Sequence, residues 1–278
     1  MTDQGQSAWS GAAAGWAAEA ERREAGPAGR AADAMLRAVA LQPGERVLEV
    51  ACGAGDVGLR AAELVGADGR VLCTDFADAM VDLVRERAAH LPQVEARVLD
   101  AQDPQLGGQR FDVVLCRFGY MLMPEPDRAL RASHDALVPG GRLALAVWGP
   151  AERNPWLSLK TDAVMAELGA PPPAPGTPGP FALADTARLR ELLTRAGFTD
   201  VQIEDVDGVR EHDSIDEWVA DGDGPMLALL SHMTDEQRER VREAAAEGGR
   251  RFAAEDGRLR LPASIVVASA TAGSTTRR

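Results

Sequence analysis

Three glycines in the spacing Gly53-x-Gly55-x-x-Gly58, with a glutamate shortly before them and aspartates at 75 and 100, can do chemistry together. Gly53 and Gly55 let the backbone turn sharply and approach a ligand closely. A helix predicted from Val57 would aim its free N–H groups over the same turn. Such a turn holds a nucleotide-like cofactor. The spacing formally matches a dinucleotide fingerprint, and Asp75 lies about 20 residues on, where NAD recognition requires an acid. Glu49 points elsewhere. It stands in the strand before the first glycine, where a dinucleotide site usually has an apolar residue, and a carboxylate there favours a cationic ligand. With Asp100, three acids around one rim suit a ligand carrying an amine and a sulfonium better than one carrying a pyrophosphate.

The candidates for a general base are His212, His232 and Tyr120, the only tyrosine. His232 lies in an apolar helical stretch, Met226 to Met233, that could wall an acceptor pocket. His90 and His134 fall on predicted helices away from the rim and are expected on the surface. Met121 and Met123 are expected in the core. Trp148 and Trp156 are expected to pack around the fifth strand, and Trp9 and Trp16 to anchor an N-terminal arm.

These residues need a frame. The stretch Val47 to Cys52 reads as a buried parallel strand. Further strands are predicted at 69–76, 94–101, 111–116 and 142–148, with helical patterns between them, one stopped by Pro139-Gly140-Gly141. Alternating strands and helices imply a parallel sheet covered on both faces, with right-handed crossovers. Ligands in such sheets bind beyond the carboxyl ends of the strands, and Gly53, Asp75, Asp100 and Arg117 all lie there. Regularity breaks after Gly149. Residues 170–180 are proline-rich and read as a surface loop or lid hinge. A helix over 185–196, a sixth strand over 198–206, a mostly helical insertion over 207–262 and a last strand over 264–272 follow. The capping box Thr234 to Gln237 opens a helix within the insertion. The expected division is an arm over 1–30, a core over 31–206, a lid over 207–262, a final core strand over 263–272 and a disordered tail over 273–278.

The chain has 45% hydrophobic and 26% charged residues, as a globular protein does. Its net charge of −13 argues against a nucleic-acid partner, which requires a basic face. Cys52, Cys73 and Cys116 each end a predicted strand, lack metal-site spacing and read as reduced core thiols. No signal peptide or membrane span is evident, so a cytoplasmic location is expected.

In its motifs the chain resembles the class I S-adenosylmethionine-dependent methyltransferases, in particular the small-molecule branch with the ubiquinone/menaquinone C-methyltransferases. The resemblance covers roughly residues 30–206. It rests on Val47-Leu-Glu-Val-Ala-Cys-Gly-Ala-Gly55, Thr74-Asp-Phe-Ala-Asp-Ala-Met80, Asp100-Ala101, Phe111-Asp-Val-Val-Leu-Cys-Arg-Phe-Gly-Tyr-Met-Leu-Met-Pro124 and Leu137-Val-Pro-Gly-Gly-Arg-Leu143. It implies a Rossmann-like seven-stranded, mostly parallel α/β sheet with an antiparallel last strand and helical lid insertions. It also implies S-adenosyl-L-methionine as cofactor. Ala51, Gly53 and Gly55 would lie under the methionine part and Glu49 near its ammonium. Asp75 would accept from the ribose hydroxyls, and Phe76 and Met80 would pack beside the adenine. Asp100 and Ala101 would contact the adenine edge, with Arg117 and Phe118 near the sulfonium and acceptor. Many relatives have a small polar residue at position 117; an arginine beside a sulfonium is unwelcome unless it turns away or pairs with a carboxylate. The expected activity is methyl transfer to carbon or oxygen of a small, fairly apolar molecule. A cofactor-binding protein that has lost methyl transfer, and an NAD-dependent oxidoreductase, remain as alternatives at this point.

Overall fold

The computed structural model describes residues 10–11, 15, 20–174, 176–220, 230 and 233–273. Its frame is a seven-stranded sheet in the order β3-β2-β1-β4-β5-β7-β6. The strands are β1 (Arg46–Val50), β2 (Arg70–Asp75), β3 (Val94–Val98), β4 (Phe111–Arg117), β5 (Leu137–Trp148), β6 (Phe198–His212) and β7 (Leu259–Ala272). The first five run parallel, and β7 runs antiparallel between β5 and β6. The expected mostly parallel sheet with an antiparallel last strand is what forms. Strand order reverses between β1 and β4, so a crevice opens beyond their carboxyl ends.

Helices α1 (Ala20–Ala25), α2 (Pro27–Val39), α3 (Asp56–Val65), α4 (Asp78–Arg87), α5 (Pro126–Ala136), α6 (Pro155–Glu167), α7 (Thr186–Arg195), α8 (Ile215–Ala220) and α9 (Asp235–Gly249) surround the sheet. One face of the sheet packs Leu48, Val114, Leu143 and Leu145 against α5 and α7. The other packs Val47, Val113, Leu115 and Ala144 against α2 and α3. Two faces buried at once explain why these strands read as continuous apolar runs. Met121 and Met123 lie in the first core, as expected. All three thiols are buried, and burial pushes that of Cys116 up to about 12.

Three strands exceed their predicted bounds by several residues. β5 begins at Leu137 rather than 142, so Pro139-Gly140-Gly141, expected to stop the preceding helix, lies within the strand. β6 continues past Val206 to His212, and β7 begins at Leu259 rather than Ser264. Val206 pairs with Ile265, which also pairs with Trp148 at the end of β5. Beyond that level β6 and β7 run on together for the pairs Asp207–Ser264 to His212–Leu259, roughly 20 Å of ladder. The alternation Leu259-Arg-Leu261-Pro-Ala263, whose odd positions are buried, is a period-2 pattern that helical signals nearby had masked.

This two-stranded extension carries a third, smaller core above the rim. Trp156, Val164, Trp218, Val241, Ala245, Leu259 and Leu261 meet there. Lys160, the only lysine, is buried in it, with its ammonium 5.4 Å from the Trp218 ring centroid. The Thr234–Gln237 capping box opens α9 as predicted. Trp9, Trp16 and His232 lie outside the described residues. No helix among the described residues is long and apolar enough to cross a membrane.

Candidate functional site

The strand β1 hands over to α3 through a turn in which Ala51, Gly53 and Gly55 all take left-handed backbone, with φ of 52°, 53° and 79°. For Ala51 this conformation is strained, a cost tolerated where backbone must be presented to a ligand. Asp75, at the end of β2, is 7% exposed and reaches back to this turn: its Oδ2 accepts from Gly53 N at 2.9 Å. Its Oδ1 accepts from Ala77 N at 3.0 Å. Burial raises its pKa against the pull of these N–H groups. Each carboxylate oxygen retains a lone pair, so the group can still accept from hydroxyls above it. Asp75 thus sets the turn and faces the rim at once.

Asp100 lies two residues beyond β3. Its Oδ1 accepts from Gln102 N at 2.9 Å. Partial burial opposes its charge, but the Gln102 hydrogen bonds outweigh that and hold its pKa below the usual range. Gln102 in turn accepts from Glu125 N through Oε1, tying the ends of β3 and β4 together. Ala101 and Phe76 are half-buried beside these acids, whereas Met80 is buried against Ala77. The turn, Asp75, Phe76, Asp100 and Ala101 therefore gather at one rim.

Glu49 corrects its expected place. It is 2% exposed and lies beneath the turn, where its Oε2 accepts from Gly58 N at 3.0 Å. A Cβ on residue 58 would come within 2.3 Å of that oxygen, so glycine is required for the contact. Burial pushes the Glu49 carboxyl up to about 8, with the Arg117 charge pulling against it. A buried, largely protonated acid supports the turn from below.

Arg117 corrects a second expectation. Its guanidinium turns from the rim and donates to Glu24 Oε1 at 2.6 Å, Ala28 O at 3.0 Å and Asp56 Oδ2 at 3.1 Å. Asp56, the first residue of α3, was not singled out in the sequence. Its side chain also receives Arg23 at 3.0 Å and Arg87 at 2.6 Å. Burial raises its pKa, but the Arg87 hydrogen bond and the Arg117 and Arg23 charges lower it further, and the carboxylate stays charged. The one signal available was an acid in the first turn of a helix.

The expected bases fare differently. Tyr120 is 1% exposed, and its hydroxyl shares a 2.6 Å hydrogen bond with Ser133 Oγ. Burial holds its pKa well above 10. It is a core residue, because the short helical turn after β4 rotates it inward toward α5. His212 closes β6, is buried, and its Nδ1 lies 2.8 Å from Arg22 Nη2. It stands at the far end of the β6–β7 extension, well above the turn. His134, expected on the surface, is buried edge-on against Phe198, with centroids 5.2 Å apart. His90 is exposed.

Beside the turn stands an aromatic wall. Phe118, left-handed at φ 62°, stacks on Trp148 at 4.2 Å and 9°. Trp148 meets Trp156 edge-on at 4.8 Å. Arg210 lies over Trp156, 4.1 Å from its centroid. Asn154 holds this corner. Its amide nitrogen donates to Gly149 O, Pro150 O and Ser264 O, and its oxygen accepts from Trp156 Nε1 and Ser264 N.

Residues 47–141 match the methyltransferase domain family. The ubiquinone/menaquinone biosynthesis C-methyltransferase UbiE of Teredinibacter turnerae is 36% identical over 106 residues, 37% of this chain and 43% of that protein. The aklanonic acid methyltransferase DauC of Streptomyces sp. strain C5 is 36% identical over 103 residues, 36% of this chain and 47% of that protein. The matched stretch thus spans less than half of each relative. Among solved structures, the YcgJ protein of Bacillus subtilis superposes with a TM-score of 0.60 at 14% identity, covering 88% of this chain and 98% of that one; the likeness is one of fold.

Proposed function

With residues 47–141 a methyltransferase domain, we propose that this protein transfers a methyl group from S-adenosyl-L-methionine to carbon or oxygen of a planar, quinone-like small molecule. The observation that carries the reading is Asp75 reaching from β2 to the strained turn. It is an acceptor for a diol, built into the loop that a cofactor would cross. The acids fit this cofactor better than a dinucleotide. Residues 47–141, which hold the turn and both rim aspartates, match the methyltransferase domain family.

In this reading the backbone of Ala51, Gly53 and Gly55 cradles the methionine part, and Asp75 accepts from the ribose hydroxyls. Asp100 and Ala101 meet the adenine edge, and Phe76 flanks it with Met80 packed behind. The cofactor supplies an electrophilic methyl on a sulfonium. The protein contributes chiefly orientation, which can supply on the order of 7–11 kcal/mol. Phe118 and Trp148 offer an apolar face that aligns a flat acceptor and excludes water. Names among the relatives include quinones, which such a face suits. A general base is needed only for a hydroxyl or an acidic C–H. Neither described candidate stands at the turn: Tyr120 lies in the core and His212 at the far end of the β6–β7 extension, so neither is assigned as the base.

Incubation with S-adenosylmethionine and a panel of hydroxyquinones and polycyclic phenols should yield methylated product and S-adenosylhomocysteine in equal amounts. Calorimetric binding of NAD without any response to S-adenosylmethionine would sink the proposal.

A further inference from the structure

We propose that Asp56, Arg117 and Glu24 are positioning residues that strap helix α1 across the glycine turn, and that cofactor enters and leaves only when the strap is released. This rests on the cofactor reading above.

Helix α1 has the sequence Ala-Glu-Arg-Arg-Glu-Ala. It offers no large apolar side chain, so its attachment is ionic. Arg23 reaches Asp56, the residue directly after Gly55, at 3.0 Å. Glu24 takes Arg117 from the end of β4 at 2.6 Å and Arg60 from α3 at 3.3 Å. One short helix is therefore gripped from both sides of the turn, by α3 and by β4. Its next neighbour, Arg22, reaches His212 and Glu217 at 2.8 and 3.3 Å, so the same helix touches the lid.

Arg117 explains why the arrangement serves the reaction. A guanidinium at the end of β4 would repel a cationic donor. Two carboxylates within 3.1 Å neutralise it, and both belong to the strap or the turn. None of the three residues is needed for the cofactor contacts assigned above. Their place is to hold a cover over those contacts. The Glu24–Arg60 and Arg22–Glu217 pairs are partly exposed and weaken with salt, whereas Arg117–Asp56 and Arg23–Asp56 are largely buried and are screened less; an apolar cover would not respond at all.

The test is stopped-flow release of S-adenosylhomocysteine from the full chain at low and high salt, with steady-state kinetics alongside. Glu24→Gln and Arg117→Met should speed release by about tenfold or more, the loss of a charge-assisted hydrogen bond. KM for the methyl donor should rise with it, while kcat at saturating donor does not fall. Arg117→Lys should recover only part, because an ammonium cannot hold two carboxylates in a fixed fork. Wild-type release should accelerate with salt, and the variants should lose that response. Glu24 is partly exposed, so Glu24→Gln keeps the fold and the test stands even if Arg117→Met unfolds. Wild-type release indifferent to salt, or Glu24→Gln releasing at the wild-type rate, overturns the strap while leaving the cofactor reading intact. A wild-type chain that binds neither S-adenosylmethionine nor S-adenosylhomocysteine overturns the cofactor reading and the strap with it.

Discussion

The cofactor side and the lid side of this molecule solve the same problem, holding polar groups at a sheet rim, by opposite means. On the cofactor side Asp100 is fixed by Gln102, Glu49 by Gly58 nine positions on, and Asp75 by Ala77 and by Gly53, 22 positions back; of the acids at the turn, Asp56 draws on more distant arginines. On the lid side the partners are remote. Asn154 and Ser264 are 110 positions apart, Trp218 and Trp156 are 62 apart, and Arg22 and His212 are 190 apart. Local contacts form with little loop-closure cost and tolerate change elsewhere in the chain. Remote ones form only when the whole fold is in place. The lid should therefore be lost first under stress, and the cofactor turn last.

The largest expected effect probes the cofactor side. Glu49 carries a carboxyl raised from 4.5 to about 8 on folding. Below pH 4.5 both folded and unfolded chains hold its proton, and its contribution is complete. Between pH 4.5 and about 8 only the folded chain does, so stability falls as pH rises; above about 8 the loss is full. A shift of that size corresponds to at most about 5 kcal/mol. Denaturant unfolding across this range should show the slope, and Glu49→Gln should flatten it. An unchanged slope in the variant would place the titration elsewhere.

Next comes the lid. Asn154→Ala strands Trp156 Nε1 and the Ser264 backbone in a buried corner, which should cost about 3–5 kcal/mol. Hydrogen exchange should then show β6–β7 beyond Val206 opening while β1 to β4 stay protected. Uniform opening of both sides would erase the contrast between them.

A smaller effect is expected at Asp75. Asp75→Ala should weaken S-adenosylmethionine binding by about 1–3 kcal/mol in calorimetry, from hydroxyl groups left without their acceptor. Equal affinity would remove Asp75 from the site. The smallest is Tyr120→Phe. It removes one buried hydrogen bond to Ser133, about 1 kcal/mol of stability, and should leave turnover unchanged. A collapse of kcat would return Tyr120 to catalysis.

The same contrast explains what could be read from residues alone. The turn, Asp75, Asp100 and the five parallel strands are written in short stretches whose spacing carries their geometry. Glu49 was visible as an acid, but its direction was not: a strand residue points to one face or the other, and only the packing of α3 over Gly58 decides which. Arg117 raised an electrostatic problem whose answer, Glu24, lies 93 positions away. Asp56 looked like an ordinary helix start, because the arginines that make it a hub come from three separate elements. Tyr120 shared a stretch with rim residues, and a single helical turn sent it inward.

Lys160 gives the lid a chemical signature. It is the only lysine in the sequence and it lies buried beside Trp218. An amine-reactive reagent therefore finds no lysine on the closed protein. Each label gained beyond the terminal amine marks a moment when α6 and α8 have parted. The molecule thus carries its own single-site reporter of parting between α6 and α8, readable by mass without any engineered tag.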